Sequence, residues 1–299
     1  MTSAVAITVA LTGALSLIVI YYFRAYGIAL FFLIPLLIGF GATTLFYYKR
    51  NVQKSHQAAF LSLLALYICF LFSSVEGLIC ISMSLPFALL LTWVGSEISY
   101  LIRKKVDKPQ ILLLILIASI PTTAFVEKDT TPELTSVTTS IEIEASPEEV
   151  WHNVVEFPEL KAPTEFIFQT GIAYPINAVI KGKGVGAVRH CNFTTGSFVE
   201  PITVWDQPRL LSFDVLEQPA PMKEISFWDV DAPHLHDYFV SKRGQFKLIK
   251  LANGHTKLEG TTWYYHNIKP AFYWRIWSNY IIHKIHRRVL EHIKANSEH

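Results

Sequence analysis

Charge is scarce in this chain, and cysteine scarcer still. Only 17% of its 299 residues are charged, against about 25% in an ordinary soluble domain. Three cysteines exclude a disulfide-stapled scaffold. Cys69 and Cys80 fall in apolar runs and Cys191 stands alone in the polar half, where it reads as a small buried apolar residue. A hydrophobic share of 51% excludes a disordered chain. The shortage of charge is local. Residues 1–126 carry eight Lys/Arg and only three acids, Glu76, Glu97 and Asp107, a net +5, whereas the other 173 residues carry net −3. The overall +2 therefore sums two unlike regions, and no basic stripe marks a nucleic-acid surface.

What the first region has instead is long uncharged runs: 1–23, 25–48, 55–75, 77–96 and 109–126. A helix needs roughly 20 mostly apolar residues to cross about 30 Å of hydrocarbon. The runs predict five spanning helices, at about 4–23, 28–48, 57–75, 77–101 and 110–126. The first lacks a basic leader and is too long for a cleavable signal peptide. Lys49, Arg50 and Lys54 lie in one connection and Arg103, Lys104, Lys105 and Lys108 in another two spans later. The positive-inside rule places both in the cytoplasm. Glu127, Asp129 and Glu133 make the next connection acidic. The expectation is a bacterial inner-membrane protein with a cytoplasmic N-terminus and residues 127–299 on the periplasmic side. Glu76 and Glu97 sit at helix ends and read as interfacial.

Residues 127–136 are a polar linker, and 137–299 form a separate domain. Val137–Ala145 alternates as a strand. Ser146-Pro147-Glu148-Glu149 is a capping box opening a short helix, which Phe157-Pro158 ends. A short second helix is expected within 158–178. Val179–Thr195, Phe198–Trp205 and Leu210–Glu217 are strand-like. Gly182, Gly184 and Gly186 mark bulges or bends rather than a nucleotide loop. Segment 218–238, with Met222, Phe227 and Trp228, is long enough to serve as a mobile cover. Asn253-Gly254 predicts a hairpin between Phe239–Leu251 and His255–His266. Taken as a two-residue loop, it pairs Gly244 with Trp263 and puts Phe246, Leu248, Glu259, Trp263 and Tyr265 on the interior face. From Lys269-Pro270, apolar residues Trp274, Trp277, Ile281, Ile285, Val289 and Ile293 recur at helical spacing to about Ala295.

Ile141-Glu-Ile-Glu-Ala-Ser-Pro-Glu-Glu-Val-Trp151, Phe157-Pro158, Gly184-Val-Gly-Ala-Val-Arg189, Trp205-Asp-Gln-Pro-Arg-Leu-Leu-Ser-Phe213 and the helix over 270–295 carry a resemblance. Residues 137–295 resemble the START-like helix-grip superfamily, which includes polyketide cyclase/dehydrase-type and lipid-transfer proteins. The resemblance implies an α+β domain, an antiparallel curved sheet gripped by a long C-terminal helix over an apolar cavity, here following an α-helical membrane region. In a fold with a cavity, part of the aromatic core is also lining: Phe166, Phe168, Phe213, Trp228, Phe246, Trp263, Tyr265 and Trp277, with Ile281. Arg189, Glu200 and Glu259 are the polar groups that would orient a ligand, the first two alternatively forming an internal ion pair. A binding role asks for a cavity of roughly 300 Å³ or more.

Ten of the eleven histidines lie in the polar half. None has a carboxylate or cysteine at recognised zinc spacing, so they read as solvated or edge residues, and neither metal nor cofactor is expected. No serine elbow or activated nucleophile is visible. The expected function is a membrane-anchored binding domain for an apolar molecule (lipid, sterol or polyketide-like), with membrane lipids as its surroundings. The alternatives are a cyclase/dehydrase-like enzyme and an envelope domain that binds another protein.

Overall fold

The computed structural model describes residues 1–47, 51–106, 109–128 and 130–298. Lys49, Arg50, Asp107, Lys108 and Asp129, which enter the charge argument, lie outside them. The described chain divides into two compact units. The first comprises Met1–Thr131, Glu224–His234 and Asn267–Trp274, and the second Pro132–Lys223, Leu235–His266 and Arg275–His299.

In the first unit the apolar runs form helices α1 (Thr2–Leu17), α2 (Ile34–Leu45), α3 (Val52–Phe72), α4 (Leu78–Arg103) and α5 (Gln110–Glu127). A wider turn extends α1 through Ile18–Tyr22, and another leads into α2 over Ala29–Leu33. Four of the helices are long and apolar enough to cross a membrane, and Ala29–Leu45 is shorter. That shorter helix is the most enclosed, with ten of the residues in α2 buried. It lies against α4 because glycines remove the obstruction: a Cβ at Gly39 would stand 2.0 Å from the Thr92 carbonyl oxygen, and one at Gly95 would stand 2.2 Å from that of Leu36. Such close approach is how helices associate when no apolar surface is hidden from water. Thr43–Ser96 and Thr44–Ser99 hydroxyl pairs, at 2.6 and 2.9 Å, follow the same seam.

Two helix starts are capped by remote carboxylates. Glu127 accepts from the backbone N–H groups of Ile28 and Ala29 at 2.7 and 3.2 Å. Glu224 accepts from those of Ile79 and Cys80 at 3.0 and 3.1 Å. Orphan donors and the positive end of the helix dipole both favour an anion there. Gly77 leaves the room, since a Cβ on it would collide with Glu224.

The second unit is a seven-stranded antiparallel sheet in the order β1-β7-β6-β5-β4-β3-β2. Its strands are β1 (Thr135–Ile143), β2 (Pro175–Lys181), β3 (Val188–Phe193), β4 (Gly196–Asp206), β5 (Leu210–Asp214), β6 (Phe239–Lys250) and β7 (Thr256–His266). Between β1 and β2 lie α6 (Pro147–Val155) and α7 (Phe166–Gln169), and α8 (Ala271–Ser297) ends the chain. This is the curled sheet and long C-terminal helix of the helix-grip arrangement. The capping box forms: Ser146 accepts from the Glu149 N–H, and Glu149 accepts from the Ser146 N–H at 2.8 Å. The core collects Ile143, Trp151, Val154 and Phe157 with Leu211, Leu248, Leu258, Leu290 and Ile293.

Two expectations are corrected here. Gly182, Gly184 and Gly186 do not interrupt one strand; they form the turn between β2 and β3, each at positive φ, a conformation that suits glycine. The β6–β7 hairpin is shifted by one residue. The Gly254 N–H donates to Leu251 O and the Leu251 N–H to His255 O, so the loop is Ala252-Asn253-Gly254 with Gly254 at φ +86. This is a three-residue loop ending in a left-handed residue. Phe246 therefore pairs with Gly260, and Gly244 with Thr262. A one-residue slip exchanges the two faces of a strand, so Glu259, Trp263 and Tyr265 move to the outer face and Leu258, Gly260, Thr262 and Tyr264 turn inward.

Candidate functional site

Within the second unit, the inner face of the sheet and α8 line a partly open cavity of about 150 Å³. Its wall is apolar: Phe213 from β5, Phe246 from β6, Gly260 from β7, and Ile281, Ile285 and Val289 from α8. Pro219–Pro221 close one side. The volume is half the roughly 300 Å³ asked of a binding role, so a cavity for a whole lipid, sterol or polyketide-like molecule, expected from the sequence, is not met here; phenyl rings line the space under the sheet. Phe157, Phe193, Phe198 and Phe239 also reach the wall. A cavity of this size admits a single benzene-sized ring.

One buried ionic pair sits at the wall. Arg189 on β3 lies opposite Glu200 on β4, 2% and 5% exposed. The Arg189 Nη1 donates to Glu200 Oε2, and its Nε donates to the Val155 carbonyl at 3.2 Å. The rings of Phe157, Phe213 and Phe246 surround the guanidinium at 5.3–5.7 Å, a cation–π enclosure. Burial pushes the Glu200 carboxyl up, and the Arg189 charge pulls it back. Cys191, on the same wall, has its thiol pushed up to about 12 by burial and by the Glu200 charge, which makes it inert as a nucleophile.

His286 of α8 reaches the cavity between two strands. Its Nε2 pairs with the Thr262 hydroxyl at 2.8 Å and its Nδ1 with that of Thr139 at 3.1 Å. Burial, with His283 one turn away, pulls its pKa down to about 4, so it is neutral near pH 7. The sequence reading grouped it with solvated histidines. The available signal was its place on the apolar stripe of α8, three residues before Val289.

Of the residues proposed from sequence, Arg189, Glu200, Phe213, Phe246 and Ile281 meet at the cavity. The others stand elsewhere. Phe166 is 79% exposed. Phe168 is buried against Tyr174, with ring centroids 5.6 Å apart. Glu259 pairs with Lys257 at 2.7 Å. On the outer face Trp263 stacks under Arg243 and Tyr265 under Lys242. Trp277 is half-buried on α8 away from the lining. Trp228 belongs to the first unit, where its indole N–H donates to the Phe72 carbonyl at 3.1 Å, and neighbouring Phe227 stacks on the Phe72 ring. Of the expected cover over the cavity, residues Glu224–His234 are thus part of the helical unit.

The sequence matches no protein-family model, and no curated protein resembles it. Solved structures do. A norcoclaurine synthase from Thalictrum flavum is 14% identical, covering 56% of this chain and 94% of its own, with a TM-score of 0.36. The Zhui aromatase/cyclase from Streptomyces sp. R1128 is 11% identical over the same shares, with a TM-score of 0.36. The Aha1 dimer from Colwellia psychrerythraea is 16% identical, covering 55% of this chain and 96% of its own, with a TM-score of 0.32.

Proposed function

We propose that this chain is a membrane-anchored binding protein whose helix-grip unit holds a small apolar molecule at the membrane surface. One observation carries the reading: an apolar cavity whose buried wall groups Arg189, Glu200 and His286 are already held by protein partners. Arg189 is engaged by Glu200 and the Val155 carbonyl, and His286 by two threonines. Saturated groups favour holding a ligand over transforming it, and Cys191 is too deeply buried to attack. The size selects a single aromatic ring or the end of an acyl chain over an intact sterol. The apolar helices of the first unit supply the anchor in a bacterial inner membrane, with the N-terminus cytoplasmic and the binding unit periplasmic.

The test is native mass spectrometry of the full chain released from detergent, with benzene as the probe. The expected result is one benzene per chain, lost in Gly260→Leu. Gly260 borders the cavity, and a Cβ there meets Leu290 and Phe246 only at 3.7 Å, so the longer side chain occupies the space. A folded wild-type chain that takes up no benzene overturns the reading.

A further inference from the structure

Outside this cavity, the first unit brings together three residues that no sequence spacing connects. Glu76 lies two residues before α4 and Cys80 in its first turn, so the bend at Glu76 turns the carboxylate back toward the helix start. His234 comes from the Glu224–His234 segment, more than 150 residues later. One ligand atom from each, a carboxylate oxygen, the Sγ and a ring nitrogen, lies within 4.8 Å of the other two, and all three residues are buried. Glu76 Oε2 and His234 Nδ1 are 3.4 Å apart, the edge length of a tetrahedron with metal–ligand bonds of about 2.0–2.1 Å.

The same atoms are left without hydrogen bonds. Glu76 and His234 are 6% and 5% exposed, yet Glu76 Oε2 and both ring nitrogens of His234 have no hydrogen-bond partner. The surroundings hold the side chains as an outer coordination layer does. The Tyr26 hydroxyl donates to Glu76 Oε1 at 2.8 Å, which leaves Oε2 directed at the cluster. Glu224 Oε1 stands 3.7 Å from His234 Nε2 while the backbone at Ile79 and Cys80 fixes that carboxylate. A carboxylate behind the far nitrogen of a histidine is the usual support of a metal-ligating ring.

We propose that Glu76, Cys80 and His234 form a binding site for a divalent transition-metal ion, best suited to Zn2+. Thiolate and imidazole together select zinc-type ions over Mg2+ and Ca2+. Three protein ligands leave a fourth position for water. Binding displaces the Cys80 proton, and the dication balances the charges of the thiolate and carboxylate that it gathers. The expectation of no metal site rested on local spacing, and this site is assembled from segments far apart in sequence.

The test uses the full chain purified in detergent without a histidine tag, stripped of metal and titrated with Co2+ and Zn2+. The expected result is one equivalent per chain, with the intense visible bands of tetrahedral cobalt and a near-ultraviolet thiolate charge-transfer band. Cys80→Ser abolishes the charge-transfer band, whereas Cys69→Ser leaves it. Tyr26→Phe, which touches only the supporting layer, weakens binding by about tenfold. X-ray absorption of the zinc-loaded wild type needs no variant and shows one sulfur among nitrogen and oxygen ligands. A folded chain that binds no Co2+, a spectrum without sulfur, or a thiolate band that survives Cys80→Ser each overturns the site and leaves a histidine held between two carboxylates.

Discussion

Gly244 and Phe213 face each other across β5 and β6, and the glycine exists to seat the ring: a Cβ at Gly244 would stand 2.4 Å from a ring carbon of Phe213. The ring also stands against the Arg189 guanidinium at 5.3 Å, so displacing it disturbs that enclosure. Gly244→Leu is expected to destabilise the second unit by about 1–3 kcal/mol through overpacking. Lys247→Leu, on the outer face of the same strand, is expected to stay within about 0.5 kcal/mol. Urea unfolding of the two variants measures the difference, and equal effects would contradict this seating.

The Arg189–Glu200 pair makes a second expectation. Removing one partner strands a buried charge, so Glu200→Leu alone is expected to cost about 3–5 kcal/mol. Exchanging both, as Arg189→Met with Glu200→Leu, is expected to recover most of that loss, since apolar groups of similar volume often replace a buried pair without penalty. A double variant as unstable as the single one would show that the pair's worth lies in geometry rather than in matched charge.

His286 gives the second unit a pH dependence of definite sign. Its folded pKa of about 4 lies below the unfolded value of 6.5, so between these values the unfolded chain binds the extra proton. Stability is intact above pH 6.5 and falls as the pH drops toward 4, by at most about 3 kcal/mol from this group. His286→Gln is expected to flatten that slope. Thermal unfolding at pH 7 and pH 4.5 compares the two chains, and an unchanged slope in the variant would remove His286 as the source.

The proposed orientation is tested by reporter fusions. A phosphatase joined after residue 298 is expected to be active, and one joined at Lys54 inactive. The reverse pattern would invert the topology.

The helices were legible because an uncharged run of spanning length has few other uses. The sheet was legible through alternation, and the opening of α6 through Ser146 and Glu149. The hairpin register was not. Asn253-Gly254 fits a two-residue loop and a three-residue loop equally well, and only the hydrogen bonds of Leu251 decide between them. That single residue moved Glu259, Trp263 and Tyr265 out of the candidate site and left Phe246 inside it. Glu76 read as interfacial because its neighbours in sequence are the ends of α3 and α4. Its burial depends on Tyr26 and His234, and no local pattern announces a partner so far along the chain. Arg189 and Glu200 were found because adjacent strands put them eleven residues apart.

The breaks between the two units fall at residues 131/132, 223/224, 234/235, 266/267 and 274/275, and this interleaving sets an order in time. A ribosome completes α1 to α5 long before it reaches Glu224, so the α4 N-terminus waits without its carboxylate cap and Phe72 without Phe227. The helical unit is finished only when residues 224–234 and then 267–274 have been made, by which point all seven strands of the sheet have also been synthesised. A chain cut after α5 therefore lacks the second unit altogether and holds only part of the first, with the start of α4 lacking the Glu224 carboxylate that caps it.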